Sequence, residues 1–191
     1  MMMPYISSLF ENVNMIIPEN SQSGSLWLGN YKSALDPVFL KDNKISVIIN
    51  CSADLPYIYD ILDPANHGLN KLETFRIPVY DSLLDHDIYI MEQYYHTVLP
   101  FILKKLLTER KNVLVHCHAG AQRSASVVAA VLFVLIDNDI MTFDKLPNRP
   151  DKSKLMKKII AYILEKRTRA FSYGFRVNFK KSLENFFNLT F

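Results

Sequence analysis

In the stretch VHCHAGAQRSAS, residues 115–126, Cys117 and Arg123 stand with five residues between them. Together they could do phosphate chemistry. A thiolate is a nucleophile, and a guanidinium offers a planar fork that grips two phosphate oxygens. Between them lie His118, Ala119, Gly120, Ala121 and Gln122. The backbone N–H groups of such a loop, closing onto a helix N-terminus, form an anion site by geometry and by dipole. Gly120 lets the backbone turn without a Cβ clash. The same positive field draws down the thiol, since helix N-termini with nearby cations bring a cysteine from about 8.5 to about 3.5–7.5. A drop of about two to three pH units favours the thiolate by about 3–4 kcal/mol. Ser124 can hydrogen-bond the sulfur and steady it as it leaves, and His116 can orient the loop by bonding to backbone. A shuffle of this composition would yield the Cys, the Arg, the preceding His, the Gly and the following Ser in this pattern roughly 4 × 10⁻⁶ times.

That chemistry needs a strand before the loop and a helix after it. NVLVHC, residues 112–117, is a continuous apolar run of the kind a strand buried on both faces carries, and residues 124–136 read as an apolar core helix. ISVIIN at 45–50 reads as a second buried strand, with SLWLGN at 25–30 and ETFRIPV at 73–79 as two more. Asp36-Pro37 predicts the start of a short helix. Ile88, Met91, Tyr95, Val98, Ile102 and Leu106 recur at helical spacing and predict a helix over 87–109, which Pro100 should kink. Two further helices are predicted over 152–166 and 177–189. Residues 1–25 read as a loose arm or a short helix, and 26–191 as one domain. Strands alternating with helices predict an α/β fold: a central, mostly parallel sheet of about five strands flanked by helices.

Composition excludes several other classes. The 191 residues are 49% hydrophobic and 21% charged, which argues against a mainly disordered chain. Two cysteines cannot build a disulfide framework, so a reducing compartment is the default, and the cytoplasm, with nuclear access open, is the expected location. The apolar stretch 125–136 is too short to span a bilayer, which takes about 20 residues. No metal-ligating cluster is visible, and no cofactor is implied. The net charge of +3 is unevenly spread: residues 1–144 carry −6 and residues 145–191 carry +9. The basic cluster over 152–169 is expected to be a solvated helix face, with anionic lipid or acidic protein as the alternative partners. Nucleic acid is not expected.

HCHAGAQRS resembles the signature of the cysteine-dependent protein phosphatases, in their dual-specificity branch. The resemblance covers about 26–187: LWLGNYKSALD, VIINCSADLP, RIPVYD, EKRTRAFSYGF and FKKSLENF are similar to successive segments of that fold. It implies a protein tyrosine phosphatase-like fold in which Cys117 forms a phosphocysteine. Arg123 binds the phosphate and the transition state, and the amides of His118 to Arg123 line the cradle. RIPVYD corresponds to the segment bearing the general acid, which would be Asp81; Asp85 and Asp87 are its rivals. An arginine before the last helix, Arg167, is where members of the family bind a second substrate phosphate; a surface arginine is the alternative. Cys51 could protect Cys117 in a reversible disulfide. Gln122 and His118 depart from the commonest residues at their positions, and His118 is expected to face solvent at the cleft mouth. The compact form resembles small free-standing members, including those of large DNA viruses, and the poxvirus-type members suggest a homodimer through residues 1–25. The activity implied is metal-independent hydrolysis of phosphotyrosine and of phosphoserine or phosphothreonine in a protein substrate. The alternatives are a phosphoinositide or RNA 5′-phosphate phosphatase, and a phosphate-binding module without turnover.

Overall fold

Continuous apolar runs make the centre of the sheet. The computed structural model describes residues 11–63, 66, 68–82, 84–144, 146, 151–171 and 179–191. In it β1 (Val13–Ile17), β2 (Leu26–Asn30), β3 (Ile45–Asn50), β4 (Glu73–Arg76) and β5 (Asn112–Cys117) form one five-stranded sheet in the order β1-β2-β5-β3-β4. β2, β5, β3 and β4 run parallel, and β1 pairs antiparallel with β2. Every residue of β5, the middle strand, is buried. Its two faces serve two cores: Val113 and Val115 point into the larger, Leu114 into the smaller.

Among the described residues, six α-helices cover the sheet. α1 (Tyr31–Ala34) and α2 (Pro37–Asp42) bring Ala34 and Leu40 to the smaller core. α3 (Asp85–Leu103), α4 (Arg123–Asp137), α5 (Lys152–Lys166) and α6 (Lys180–Phe187) pack on the larger. α4 lies deepest, buried from Arg123 to Ile136 except at Val134, as its apolar surface all round requires. The cap expected at Asp36 forms: its carboxylate accepts from the Val38 and Phe39 amides at 3.0 and 3.1 Å. Among the described residues no helix is long and apolar enough to cross a membrane.

Three sequence expectations need correction. Residues 13–17 are neither a loose arm nor a helix but the edge strand β1. Its register slips between Met15 and Ile17, so Ile16 and Ile17 are buried side by side and the alternation that would announce a strand is broken. The helix predicted over 87–109 starts at Asp85 and runs through Pro100 to Leu103, and a wider helical turn follows over Lys104–Thr108. The last helix is shorter than predicted, Lys180–Phe187, with positions 177 and 178 outside the described residues.

Candidate active site

The parallel strands end on one edge of the sheet, and there β5 delivers Cys117 into the loop 118–122 that opens α4. The loop's conformation follows from where its carbonyls go. The His118 oxygen accepts from the Tyr31 amide at 3.3 Å, and the Ala121 oxygen from the Phe171 amide at 2.7 Å. Arg167 takes the two between, with Nη2 on the Ala119 oxygen at 3.0 Å and Nε on the Gly120 oxygen at 2.7 Å. Four successive carbonyls are thus held from outside the loop. In a trans peptide the N–H points opposite to the preceding C=O, so the amides of 119–122 turn the other way, into the cradle. Gly120 sits at φ +65°, and a Cβ there would lie 2.5 Å from the Gly29 oxygen.

Cys117 is at the floor, 2% exposed. Ser124 Oγ donates to its Sγ at 3.2 Å. Burial alone pushes the thiol up, but the Arg123 charge, the Ser124 hydroxyl and the Ser124 and Ala121 amides outweigh it, and the net effect lowers the thiol below its ordinary value. Arg123 is itself buried. Its Nη1 donates to the Val79 oxygen at 3.0 Å, its Nη2 pairs with the Asp81 carboxylate at 3.3 Å, and its Nε has no protein partner. A buried guanidinium with a spare N–H beside a ring of inward amides suits an oxyanion. Of the three candidate acids only Asp81 reaches Arg123; it is 54% exposed, whereas Asp87 is buried and Asp85 is exposed. Asp81, Cys117, Ala119, Ala121 and Gln122 line a depression of about 200 Å³. The two larger grooves beside Tyr162 and Glu165 are lined by no cysteine among the described residues.

The supporting residues differ from expectation. Arg167 faces neither a second phosphate nor solvent. It is fully buried, and beyond the loop carbonyls its Nη1 donates to Asn14 Oδ1 at 2.7 Å and to the Glu11 oxygen at 3.3 Å. Burial lowers it to about 10, with the Cys117 and Glu11 charges opposing, so it stays cationic at neutral pH. The expected site is corrected to a strut that ties β1 and the end of α5 to the loop; the pairing spans about 150 positions of sequence, and nothing local announces it. His116 is buried, and the expected contact of its ring with backbone is made only to Cys117, without well-formed hydrogen-bond geometry at either ring nitrogen. Burial, only partly offset by the Cys117 backbone, pushes it down to about 3 and keeps it neutral. His118 is exposed as expected and stacks on Tyr31, ring centres 5.1 Å apart. Cys51 lies on the neighbouring strand's extension, its amide bonded to the His116 oxygen at 2.8 Å. Burial foremost, then Cys117, pushes its thiol well up, against Arg123, and both cysteines are free.

A thiol drawn down at the floor of an amide cradle, at the carboxyl edge of a parallel sheet, defines the class of cysteine-dependent phosphatase domains. The chain belongs to the family described as dual specificity phosphatase, catalytic domain, which matches residues 26–141. It is 28% identical over 124 residues to dual specificity protein phosphatase 12 of Mus musculus, a match covering 63% of this chain and 31% of that protein. The chain thus spans less than a third of that relative. It is 30% identical over 138 residues to a protein named as a tyrosine-protein phosphatase in Amsacta moorei entomopoxvirus, covering 72% of this chain and 76% of that one. In fold it resembles the Yvh1 phosphatase domain from Chaetomium thermophilum, with a TM-score of 0.64 at 19% identity over 92% of this chain and 95% of that one.

Proposed function

We propose that the chain is a metal-independent phosphoprotein phosphatase working through a phosphocysteine. The observation that carries this is the Cys117 thiol, drawn down despite burial by Arg123, Ser124 and the loop amides. In the first step Sγ attacks phosphorus in line, an S–P bond forms and the P–O bond to the substrate breaks. Asp81 gives its proton to the departing oxygen. In the second step water attacks phosphorus, Asp81 takes its proton, and the S–P bond breaks with the electron pair returning to sulfur. Ser124 donates to the thiolate that leaves. Charge on the equatorial oxygens is met by Arg123 and by the amides of His118, Ala119, Gly120, Ala121, Gln122 and Arg123.

Substrate breadth follows from the walls. Small side chains, Ala119 and Ala121, line the depression, and the Tyr31–His118 stack stands at the loop's exposed end. Such a site admits phosphoserine and phosphothreonine as well as phosphotyrosine. Free cysteines around a thiolate nucleophile suit a reducing, cytoplasmic setting. The entomopoxvirus relative, matched over most of its length, supports a viral source. Among the described residues β1 is an edge strand, and an edge can add a strand from a second copy, which supports a homodimer through the amino-terminal segment; light scattering reads that directly.

The test is phosphate release, without added metal, from a peptide phosphorylated on both Thr and Tyr. Wild type is run beside Cys117→Ser, with mass spectrometry locating the remaining phosphate. Release by wild type alone is expected, with both sites emptied. No release from either protein overturns the reading and turns the search to lipid and RNA phosphates.

A further inference from the structure

Asp81 sits on a loop with little to anchor it. The side chains on either side of the acid, Tyr80 at 57% and Leu84 at 65% exposure, point to solvent and secure nothing by burial. Val79 gives one fixed point through its oxygen on Arg123. Further fixed points come from Asp87, the third residue of α3. Its carboxylate is buried at 2% exposure, far from the usual lot of an aspartate. Its Oδ1 accepts from the Tyr80 amide at 3.3 Å; its Oδ2 accepts from the Ser82 amide at 3.1 Å and from the Ser82 hydroxyl. The same hydroxyl oxygen accepts from the Leu84 amide at 3.1 Å, and the Leu84 oxygen accepts from the Asp87 amide at 3.2 Å. The two amides that Asp87 holds are those immediately before and after Asp81. A buried carboxylate is tolerated when its oxygens are satisfied, and here the donors come from the flanks of the acid. Placement at the first turn of a 19-residue helix adds a favourable dipole.

We propose that Asp87 is a positioning residue for the general acid. It clamps the backbone on both sides of Asp81 so that the Asp81 carboxyl meets the departing oxygen. The proposal rests on the reading of the chain as a cysteine phosphatase with Asp81 as acid. It also explains why two aspartates six positions apart play different parts: one stays at the mouth, the other turns inward to hold it.

The dependence on leaving group separates this role from a merely structural one. Phenyl phosphate expels a basic phenoxide and needs the acid. Difluoromethylumbelliferyl phosphate expels a stable anion and needs it far less. Expulsion occurs in the first step, which kcat/KM reports. Asp87→Asn keeps the size of the side chain but offers one acceptor oxygen where two are used. Its kcat/KM should fall about tenfold or more on phenyl phosphate and several-fold less on the activated ester, as for partial loss of a group worth 10²–10⁴. In an Asp81→Asn background the same change should add less than about twofold, because Asp87 acts through Asp81. The inhibition constant for inorganic phosphate should stay within about twofold of wild type, since the cradle is untouched. Ser82→Ala, which removes the hydroxyl bond alone, should show a smaller loss with the same split, and serves if Asp87→Asn does not fold. Equal losses on both esters, a full loss in the Asp81→Asn background, or no loss on phenyl phosphate overturns the proposal. If Asp81→Asn itself shows no dependence on leaving group, Asp81 is not the acid and the underlying reading falls as well.

Discussion

Replacing Arg167 by Met should damage stability and catalysis together. Met keeps most of the volume and removes every donor. The buried Gly120 oxygen loses its partner at 2.7 Å, and the Ala119 oxygen and Asn14 Oδ1 lose theirs at 3.0 and 2.7 Å. An orphaned buried acceptor costs about 1–3 kcal/mol, and acceptors that water can reach cost less. The guanidinium's own burial cost is returned, which leaves a net loss of about 2–4 kcal/mol. Against a typical domain stability of about 5–15 kcal/mol the variant stays folded in the cold. The catalytic loss has a separate origin. With two of the four outer carbonyls released, the loop amides no longer point inward by default, and losing one preorganised donor costs about 10²–10³ in rate. Two measurements check this: the guanidinium midpoint, and kcat/KM on peptides carrying one or two phosphates. A lower midpoint and a loss of about 10²-fold or more on both peptides are expected. A variant as stable as wild type, fully active on the singly phosphorylated peptide and weakened only on the doubly phosphorylated one, would refute the strut and restore a second phosphate site.

Three other outcomes follow from the same geometry. Gly120→Ala must place a Cβ 2.5 Å from the Gly29 oxygen at a positive φ, so activity should drop by about 10²-fold while far-UV dichroism stays unchanged; wild-type kcat/KM in this variant would contradict the packing. Iodoacetamide should alkylate Cys117 with a pH midpoint below that of free cysteine, because the thiolate persists below the ordinary value; Arg123→Met should move that midpoint up, and Cys51, buried with its thiol raised, should stay unlabelled, all read by peptide mass spectrometry. His116 is held neutral with a value near 3 in the fold, whereas the unfolded chain protonates near 6.5. Between those values the unfolded state binds more protons, so stability falls as pH falls, by up to about 1.4 kcal/mol per pH unit from this group; His116→Asn should flatten denaturation midpoints between pH 6 and 4, and an unchanged slope would refute the assignment.

How much was legible beforehand depended on the range of the interactions. β3, β5 and α4 announce themselves through apolar runs, because a strand or helix covered on every side has no polar face to confuse its reading. The Cys117–Arg123 pairing, the Ser124 bond to sulfur and the glycine at φ +65° all arise within one strand–loop–helix unit, so the spacing of a few residues nearly dictates their geometry. Asp81 was nameable only by resemblance, since its rivals lie four and six positions away and the loop has no period. In the folded chain Asp87 is buried and Asp81 pairs with Arg123, which supports the proposed choice of Asp81.

Long-range partners decided the rest. Arg167 looks the same in the sequence whether it greets a second phosphate or braces a loop. Its place depends on β1 adding to the sheet edge and on α5 ending against residues 119 and 120, contacts that no local pattern encodes. β1 in turn was hidden by its slipped register, which abolishes the alternation a half-buried strand otherwise shows. What the sequence determined by itself was the candidate nucleophile, its proposed phosphate ligand and the buried elements on either side, because short chain segments confine those groups. What only the folded chain decided was which charged side chains turn inward to hold that loop and its acid in place, because a buried charge finds its partners wherever packing brings them.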